Sequence, residues 1–242
     1  MIEETAGRPP LHWAALAAAG PIVAGGDLLA HRVTGPARPA IRYGTALAVL
    51  ALAGSAGVPA AGLGLGRAEL GRGARTGALA GACAWAMIAA ATAMPASRRF
   101  LADERARPGD EPGRLAADLA RITLLAVPAE ELTYRAGLLG LLLPGRPAAG
   151  PLAWSSLIFG ASHIMPTLAT MHQSALHPHL AGRRARQAAF VAGNVLVTSV
   201  AGAAFGWLRL RSGSVLAPVL AHAAINDGAL IAGRIAHGLA AR

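Results

Sequence analysis

Residues 115–143 read LAADLARITLLAVPAEELTYRAGLLGLLL, an apolar stretch with two adjacent glutamates and an arginine near its centre. About 20 apolar residues are enough for a helix to cross the hydrocarbon core of a bilayer. Ionisable side chains at that depth are costly, and they usually face a water-filled cavity inside a bundle. The stretch therefore predicts a membrane helix that contributes acidic groups to an internal site.

Apolar stretches of similar length lie on both sides of this one along the chain. They cover approximately residues 11–30, 41–65, 74–93, 151–171, 187–208 and 215–231. Together they predict an all-α, polytopic transmembrane bundle of about seven spans, within a range of roughly six to eight, with a catalytic cavity inside it. We expect N-terminal spans and a polar loop over residues 1–114, a catalytic core over 115–232 and a C-terminal tail over 233–242.

The composition favours a membrane protein over a soluble one. The 242 residues are 54% hydrophobic and 14% charged, whereas a soluble domain carries about 25% charged residues. The net charge is +10 and every basic residue except histidine is arginine. Such an excess can indicate nucleic-acid binding, but these arginines, Arg38 and Arg42 among them, lie between apolar stretches. That distribution is typical of loops facing anionic headgroups, and it favours an outside N-terminus and a cytosolic C-terminus.

The central motif, Glu130-Glu131-Leu-Thr-Tyr-Arg135, predicts two acids with different roles. On a helix, Glu131 and Arg135 share a face with the acid first, which is the better order for an ion pair. Glu130 is rotated by about 100°, and we expect it to be free to act as a general base in a cavity of low dielectric. Pro128 is expected to open the helix and admit water. The alternative is a salt-bridged turn at the membrane interface.

Two further motifs place polar groups on other predicted helices. Phe159 and His163 are four residues apart, as are His222 and Asn226. Donors that converge on one point stabilise a tetrahedral oxyanion, and a carboxylate with two imidazoles suits the activation of water. The alternatives are a hydrogen-bonded core histidine at 163 and a polar helix-packing pair at 222 and 226.

Other catalytic chemistries find less support in the sequence. The nucleophile motif GxSxG and the zinc motif HExxH are both absent, and Cys83 is the only cysteine. No metal site is assigned, although Glu130, His163 and His222 are the residues that could hold zinc if a metal is used. The remaining histidines are expected to be interfacial; they are His12, His31, His172, His177, His179 and His237.

The ordered trio EExxxR, FxxxH and HxxxN resembles the CPBP family of intramembrane proteases. That family includes the type II CAAX prenyl endopeptidases and the Abi-type bacteriocin-immunity proteins. The run from Gly206 to His222, GWLRLRSGSVLAPVLAH, is similar to the family's approach to its last motif. The resemblance covers about Leu115–Asn226, and the first three spans match only in being hydrophobic.

The resemblance implies an intramembrane endopeptidase in which Glu130 activates water with help from His163. By the same resemblance, His222 and Asn226 stabilise the oxyanion, Glu131 and Arg135 shape the site, and Phe159 packs beside it. We expect no required cofactor, with a divalent metal such as zinc as the alternative.

The expected partners are the lipid bilayer and a membrane-anchored peptide or protein substrate, prenylated or leader-type, with no nucleic acid. We expect an integral, multi-pass protein of a bacterial plasma membrane. Two other functions stay open: a catalytically idle scaffold or bacteriocin-immunity protein of the same fold, and a proton-coupled transporter. The sequence does not indicate an oligomeric state.

Overall fold

The computed structural model describes residues 10–101, 106, 113–174 and 176–240, and within these residues the chain is helical with no strand. The helices before the central motif are α1 (Pro10–Arg32), α2 (Ala37–Ser55), α3 (Leu70–Ala93) and α4 (Pro95–Leu101). A continuous helical run over residues 114–142 forms α5. The helices after it are α6 (Ala149–Ser162), α7 (Ile164–Thr170), α8 (His177–Leu180), α9 (Arg184–Ser212) and α10 (Leu216–Ala240).

Helix α5, which carries the central motif, changes its winding along its length. Its segments Arg121–Ala126 and Leu132–Leu138 are π-helical, and they flank the α-helical turn Val127–Glu131. Pro128 lies inside this continuous helix, where it has no N–H to donate to the preceding turn. The expected opening of the helix thus takes the form of two wider π turns, a rare geometry that is frequent at functional sites.

The outer surface of the bundle is apolar, as expected for a protein in lipid. Large side chains such as Leu79, Met87 and Leu196 are well exposed, whereas the charged Glu131 and Arg135 are buried. Four helical stretches in the described part of the chain are long and apolar enough to cross a membrane. They are Leu11–Arg32, Arg67–Ala93, Arg184–Ser212 and Leu216–Leu239. The all-helical membrane fold is therefore confirmed, while the count of about seven spans is not.

Two of the predicted spans differ from the structure. The stretch at 41–65 is helical only as far as Ser55, where α2 ends. The stretch at 151–171 is broken at His163, which lies between α6 and α7. Pro166 explains this break, because it has no N–H to give to the carbonyl of Ser162 and its ring would clash with that carbonyl.

Small residues allow the helices to approach closely. On α3, a β carbon at Gly77 would lie 2.7 Å from the carbonyl oxygen of Ala217 on α10. On α6, a β carbon at Gly160 would lie 2.6 Å from the carbonyl oxygen of Val195 on α9. Close contacts of this kind are the usual way in which membrane helices pack. They hold α10 along α3 and α9 along α6.

Helix α5 lies at the centre of this arrangement, in contact with α2, α6, α9 and α10. The buried core around it includes Val49 of α2, Tyr134 and Leu141 of α5, and Phe159 of α6. The side chains of the central motif are consequently surrounded by these four helices and by α1, whose Asp27 bonds Tyr134. This position determines which partners each acid can reach.

Candidate active site

Glu131 is completely buried, and one of its oxygens, Oε1, is shared by two partners. Nη1 of Arg135 lies 3.3 Å from it, and Nδ1 of His222 lies 2.8 Å from it. The ion pair predicted from the four-residue spacing is therefore present, and His222 joins it from α10. A buried carboxylate needs such partners, because an uncompensated charge in the interior costs several kcal/mol.

Aromatic rings enclose this buried cluster. The guanidinium of Arg135 lies 3.9 Å from the ring centre of Phe159 on α6. The ring of Phe205 on α9 stacks on His222, with centres 4.6 Å apart and planes 21° from parallel. A β carbon at Gly202 would lie 3.2 Å from Nη2 of Arg135, so a glycine leaves room for the guanidinium. Stacking on aromatic faces suits a planar, weakly hydrated guanidinium.

Glu130 faces a different environment from its neighbour. Its side chain is 22% exposed, and its Oε1 lies 3.0 Å from Nη1 of Arg42 on α2. The expectation that Glu130 is free of a cationic partner is therefore wrong. The reason is tertiary: α2 packs against α5 and brings in an arginine 88 residues away in the chain. Within the described residues no donor is bonded to the second oxygen, Oε2.

His163 occupies the junction between α6 and α7. Its Nδ1 lies 2.8 Å from the carbonyl oxygen of Phe159, and the two rings meet edge to face with centres 4.7 Å apart. A carbonyl oxygen only accepts hydrogen bonds, so this contact places the proton of a neutral imidazole on Nδ1. Nε2 is then left with a lone pair that can accept a proton.

Asn226 follows His222 by one turn of α10, and the next residue connects this helix to α5. Oδ2 of Asp227 accepts a hydrogen bond of 2.7 Å from the hydroxyl of Thr123. Asn226 is half-buried, and its side chain makes no hydrogen bond within the described part of the chain. Its amide therefore remains available to a ligand.

The three motifs meet around one aromatic ring. Phe159 lies 4.7 Å from the ring of His163 and 6.1 Å from the ring of His222, and it carries the guanidinium of Arg135 on its face. Helices α5, α6 and α10 thus each bring a residue of one motif into the neighbourhood of this ring. Within it, Glu131 is directed to α10 and Glu130 to α2.

Two residues of the N-terminal helices also belong to this neighbourhood, and the sequence did not assign them to it. The hydroxyl of Tyr134 donates a hydrogen bond of 2.7 Å to Oδ2 of Asp27 on α1. Asp27 is within electrostatic range of Glu130, Arg42 and His163. A lone carboxylate in an apolar helix was the available signal, because the rule that singled out Glu130 applies to it equally. Arg42 was interpreted as a loop charge.

The three residues considered as zinc ligands from the sequence are Glu130, His163 and His222. In the regions that the structure describes, no three His, Cys, Asp or Glu side chains are grouped as ligands for a metal ion. His222 uses Nδ1 for Glu131, His163 directs Nδ1 to a carbonyl, and Glu130 is paired with Arg42. These contacts involve only Nδ1 of each histidine, and a divalent metal stays the alternative prediction.

Comparison with known proteins identifies the segment that contains all three motifs. The family model described as type II CAAX prenyl endopeptidase Rce1-like matches residues 112–227. This segment includes α5 to α9 and the first half of α10. No curated protein and no solved structure matches the chain.

Proposed function

The chain carries a type II CAAX prenyl endopeptidase, Rce1-like domain over residues 112–227, and we propose that it hydrolyses a peptide bond of a membrane-associated substrate with Glu130 as the base. Helices capable of crossing a membrane and membership of a CAAX-type family make it an integral membrane protein of the intramembrane endopeptidase class. The proposal concerns the residues that perform the reaction and the substrate on which they act.

Water and substrate reach Glu130 from the partly exposed side of α5. Glu130 is bound to Arg42 through Oε1, which leaves Oε2 to accept a proton from water as that water attacks the scissile carbonyl. His163 assists as a second acceptor through Nε2, because its Nδ1 is directed to a backbone carbonyl. A positioned base of this kind contributes about 10²–10⁴-fold to the rate.

The oxyanion that forms at the carbonyl oxygen is assigned to donors of α10. Asn226 offers an amide without a partner among the described residues, and His222 offers Nε2–H when its imidazole is protonated. Nδ1 of His222 is held by Glu131 at 2.8 Å, and this contact fixes the orientation of the ring that carries the donor. Removal of one oxyanion donor typically costs about 10²–10³-fold in kcat.

Glu131 and Arg135 are positioning residues in this proposal. Glu131 orients His222, and Arg135 balances the buried carboxylate while Phe159 supports its guanidinium. The observation that carries the proposal is the bond between Glu131 and His222, because it joins the first and third motifs at one site. A prenylated tail and a leader peptide are both compatible with a site that opens within the membrane.

Purified protein in proteoliposomes, incubated with a library of membrane-anchored peptides, tests the proposal. Mass spectrometry of the products should show one new bond cleaved by the wild type and a loss of about 10²-fold or more with Glu130→Gln. Glu69→Gln is the matched control, because Glu69 is also a part-exposed glutamate paired with an arginine, Arg72. Full cleavage by Glu130→Gln would refute the assigned base.

The same proteoliposomes distinguish the proposed peptidase from the two alternative functions. An idle scaffold or immunity protein predicts no cleavage of any library member by the wild type. A proton-coupled transporter predicts flux across the vesicle membrane that depends on Glu130 and no peptide product. Treatment with a strong chelator addresses the cofactor, because a reaction that uses only this chain's side chains keeps its rate.

A further inference from the structure

A groove of about 350 Å³ lies beside the candidate site, at the end of α1 and the beginning of α2. It is lined by the connection between these helices at Gly35, by Arg38 and Arg42 of α2, and by Arg121 and Leu125 of α5. Its volume falls in the lower part of the range of pockets that hold small ligands. Neither the family match nor the proposed reaction assigns it a ligand.

The groove is strongly cationic. Three of its lining residues are arginines, and none of the described residues that line it is acidic. Arg38 is anchored by Nε to the carbonyl oxygens of Ala30 and Val33, at 3.0 and 3.2 Å, which are neutral acceptors. Arg121 contacts the carboxylate of Asp118 only at 3.5 Å, and its side chain is 66% exposed. The positive charge in the groove is therefore only partly balanced.

The groove also has an apolar side, at a depth where lipid headgroups are found. The turn at Gly35 follows directly after α1, a helix long enough to cross the membrane. Leu125 lines the groove and is 41% exposed, and the adjacent Leu124 is 62% exposed. An arginine cluster at the end of a membrane helix is the usual recognition element for an anionic headgroup. The exposed leucines provide a surface for the acyl chains.

We propose that this groove binds the phosphate of an anionic phospholipid, and that the bound phosphate competes with Glu130 for Arg42. Arg42 lines the groove and also holds Oε1 of Glu130 at 3.0 Å, so its guanidinium serves both. A phosphate drawn to Arg38, Arg42 and Arg121 weakens the ion pair, which frees Oε1 of Glu130 to act on water. The binding site stands on its own; the effect on catalysis rests on the proposed function.

Titration of the purified full-length protein with phosphatidylglycerol, followed by native mass spectrometry, tests the binding site. Loss of one arginine near a phosphate should weaken binding about fivefold, so we expect that decrease for Arg121→Gln and for Arg38→Gln. Arg75→Gln is the control, because Arg75 is an exposed arginine of α3 that does not line the groove. Equal binding by all three variants would overturn the proposal, provided that their thermal unfolding matches the wild type.

Glu130→Gln tests the competition for Arg42 without any measurement of activity. The variant releases Arg42 from its carboxylate, so it should bind phosphatidylglycerol about fivefold more tightly than the wild type. Unchanged affinity would show that Arg42 is not shared. In the wild type, phosphatidylglycerol should also raise the peptidase rate relative to phosphatidylcholine. If Glu130→Gln binds phosphatidylglycerol more tightly but the wild-type rate does not increase, only the catalytic effect is refuted.

Inorganic phosphate distinguishes a lipid from a small anion. At equal concentration it should compete only weakly with phosphatidylglycerol, because it has no acyl chain to contact Leu124 and Leu125. Competition as strong as that of soluble, short-chain phosphatidylglycerol would overturn the assignment to a lipid and identify a site for free phosphate.

Discussion

Glu130 and Glu131 are adjacent in the chain, and the fold places them in opposite surroundings. Glu131 is fully buried and shares Oε1 between Arg135 and His222. Glu130 is 22% exposed and is bound by Arg42, which is itself 26% exposed. The rotation of about 100° between successive helical residues directs one carboxylate into the protein and the other toward the partly exposed side of α5.

The two acids of this motif are therefore expected to have different roles, Glu131 in stability and Glu130 in the reaction. A buried ion pair costs a great deal when one partner is removed, whereas a part-exposed pair contributes at most about 1 kcal/mol. Removal of Glu131 should therefore damage the fold, and removal of Glu130 should damage the reaction. The predictions that follow test whether the two acids differ in this way.

The largest effect on stability is expected from Glu131→Gln. The substitution leaves Arg135 buried without its carboxylate, which should cost about 3–5 kcal/mol of unfolding free energy. Thermal unfolding in detergent, compared with Glu130→Gln as the control, measures the difference. Glu130→Gln should stay within about 1 kcal/mol of the wild type. Equal destabilisation by the two variants would contradict the contrast between them.

Local spacing explains which parts of the site could be predicted from the sequence. The pair of Glu131 and Arg135 depends only on residues four apart in one helix, and the structure contains it. The all-helical membrane fold followed from apolar stretches, which depend on composition alone. The bond from Glu131 to His222 spans 91 residues, and only the family resemblance brought these two positions together.

Contacts between distant helices explain what could not be predicted. Arg42 was interpreted as a headgroup-facing charge because hydropathy does not indicate which helix lies beside it. The break at His163 had a local signal in Pro166, three residues later, but an apolar run on both sides favoured one continuous span. Pro128 was the local signal for a disturbance in α5, but the sequence did not predict that it takes the form of two π turns.

A smaller loss of stability is expected from Arg135→Lys, which keeps the charge and removes the planar group. The guanidinium lies 3.9 Å from the centre of the Phe159 ring in a desolvated position, where such stacking contributes about 2 kcal/mol. Arg146→Lys is the control: its guanidinium lies 5.4 Å from the Trp13 ring, and an exposed contact is worth about 0.5 kcal/mol. Chemical denaturation should rank the two losses in this order. The reverse order would mean that the aromatic enclosure does not stabilise the buried cluster.

Tyr134→Phe should cost about 1.5 kcal/mol, because the Tyr134 hydroxyl donates a 2.7 Å hydrogen bond to the Asp27 carboxylate. Tyr43→Phe removes a hydroxyl that donates to a neutral carbonyl, that of Leu124, so it should cost about 0.5–1 kcal/mol. Unfolding free energies of the two variants measure the difference. A Tyr134→Phe variant as stable as the wild type would show that α1 is not held to the site by this bond.

The smallest effect is expected from Arg42→Gln, and it tests the exposed side of the comparison most directly. A double-mutant cycle with Glu130→Gln should give a coupling energy of about 0.2–1 kcal/mol, because both side chains are partly hydrated and salt screens the pair. The pair of Arg72 and Glu69, which is also part-exposed, should give a similar value. A coupling above about 3 kcal/mol would place Glu130 in the same energetic class as Glu131. Glu130 would then be held as tightly as Glu131 and could not change partners during a reaction. The contrast between the two acids would give no reason to assign catalysis to Glu130.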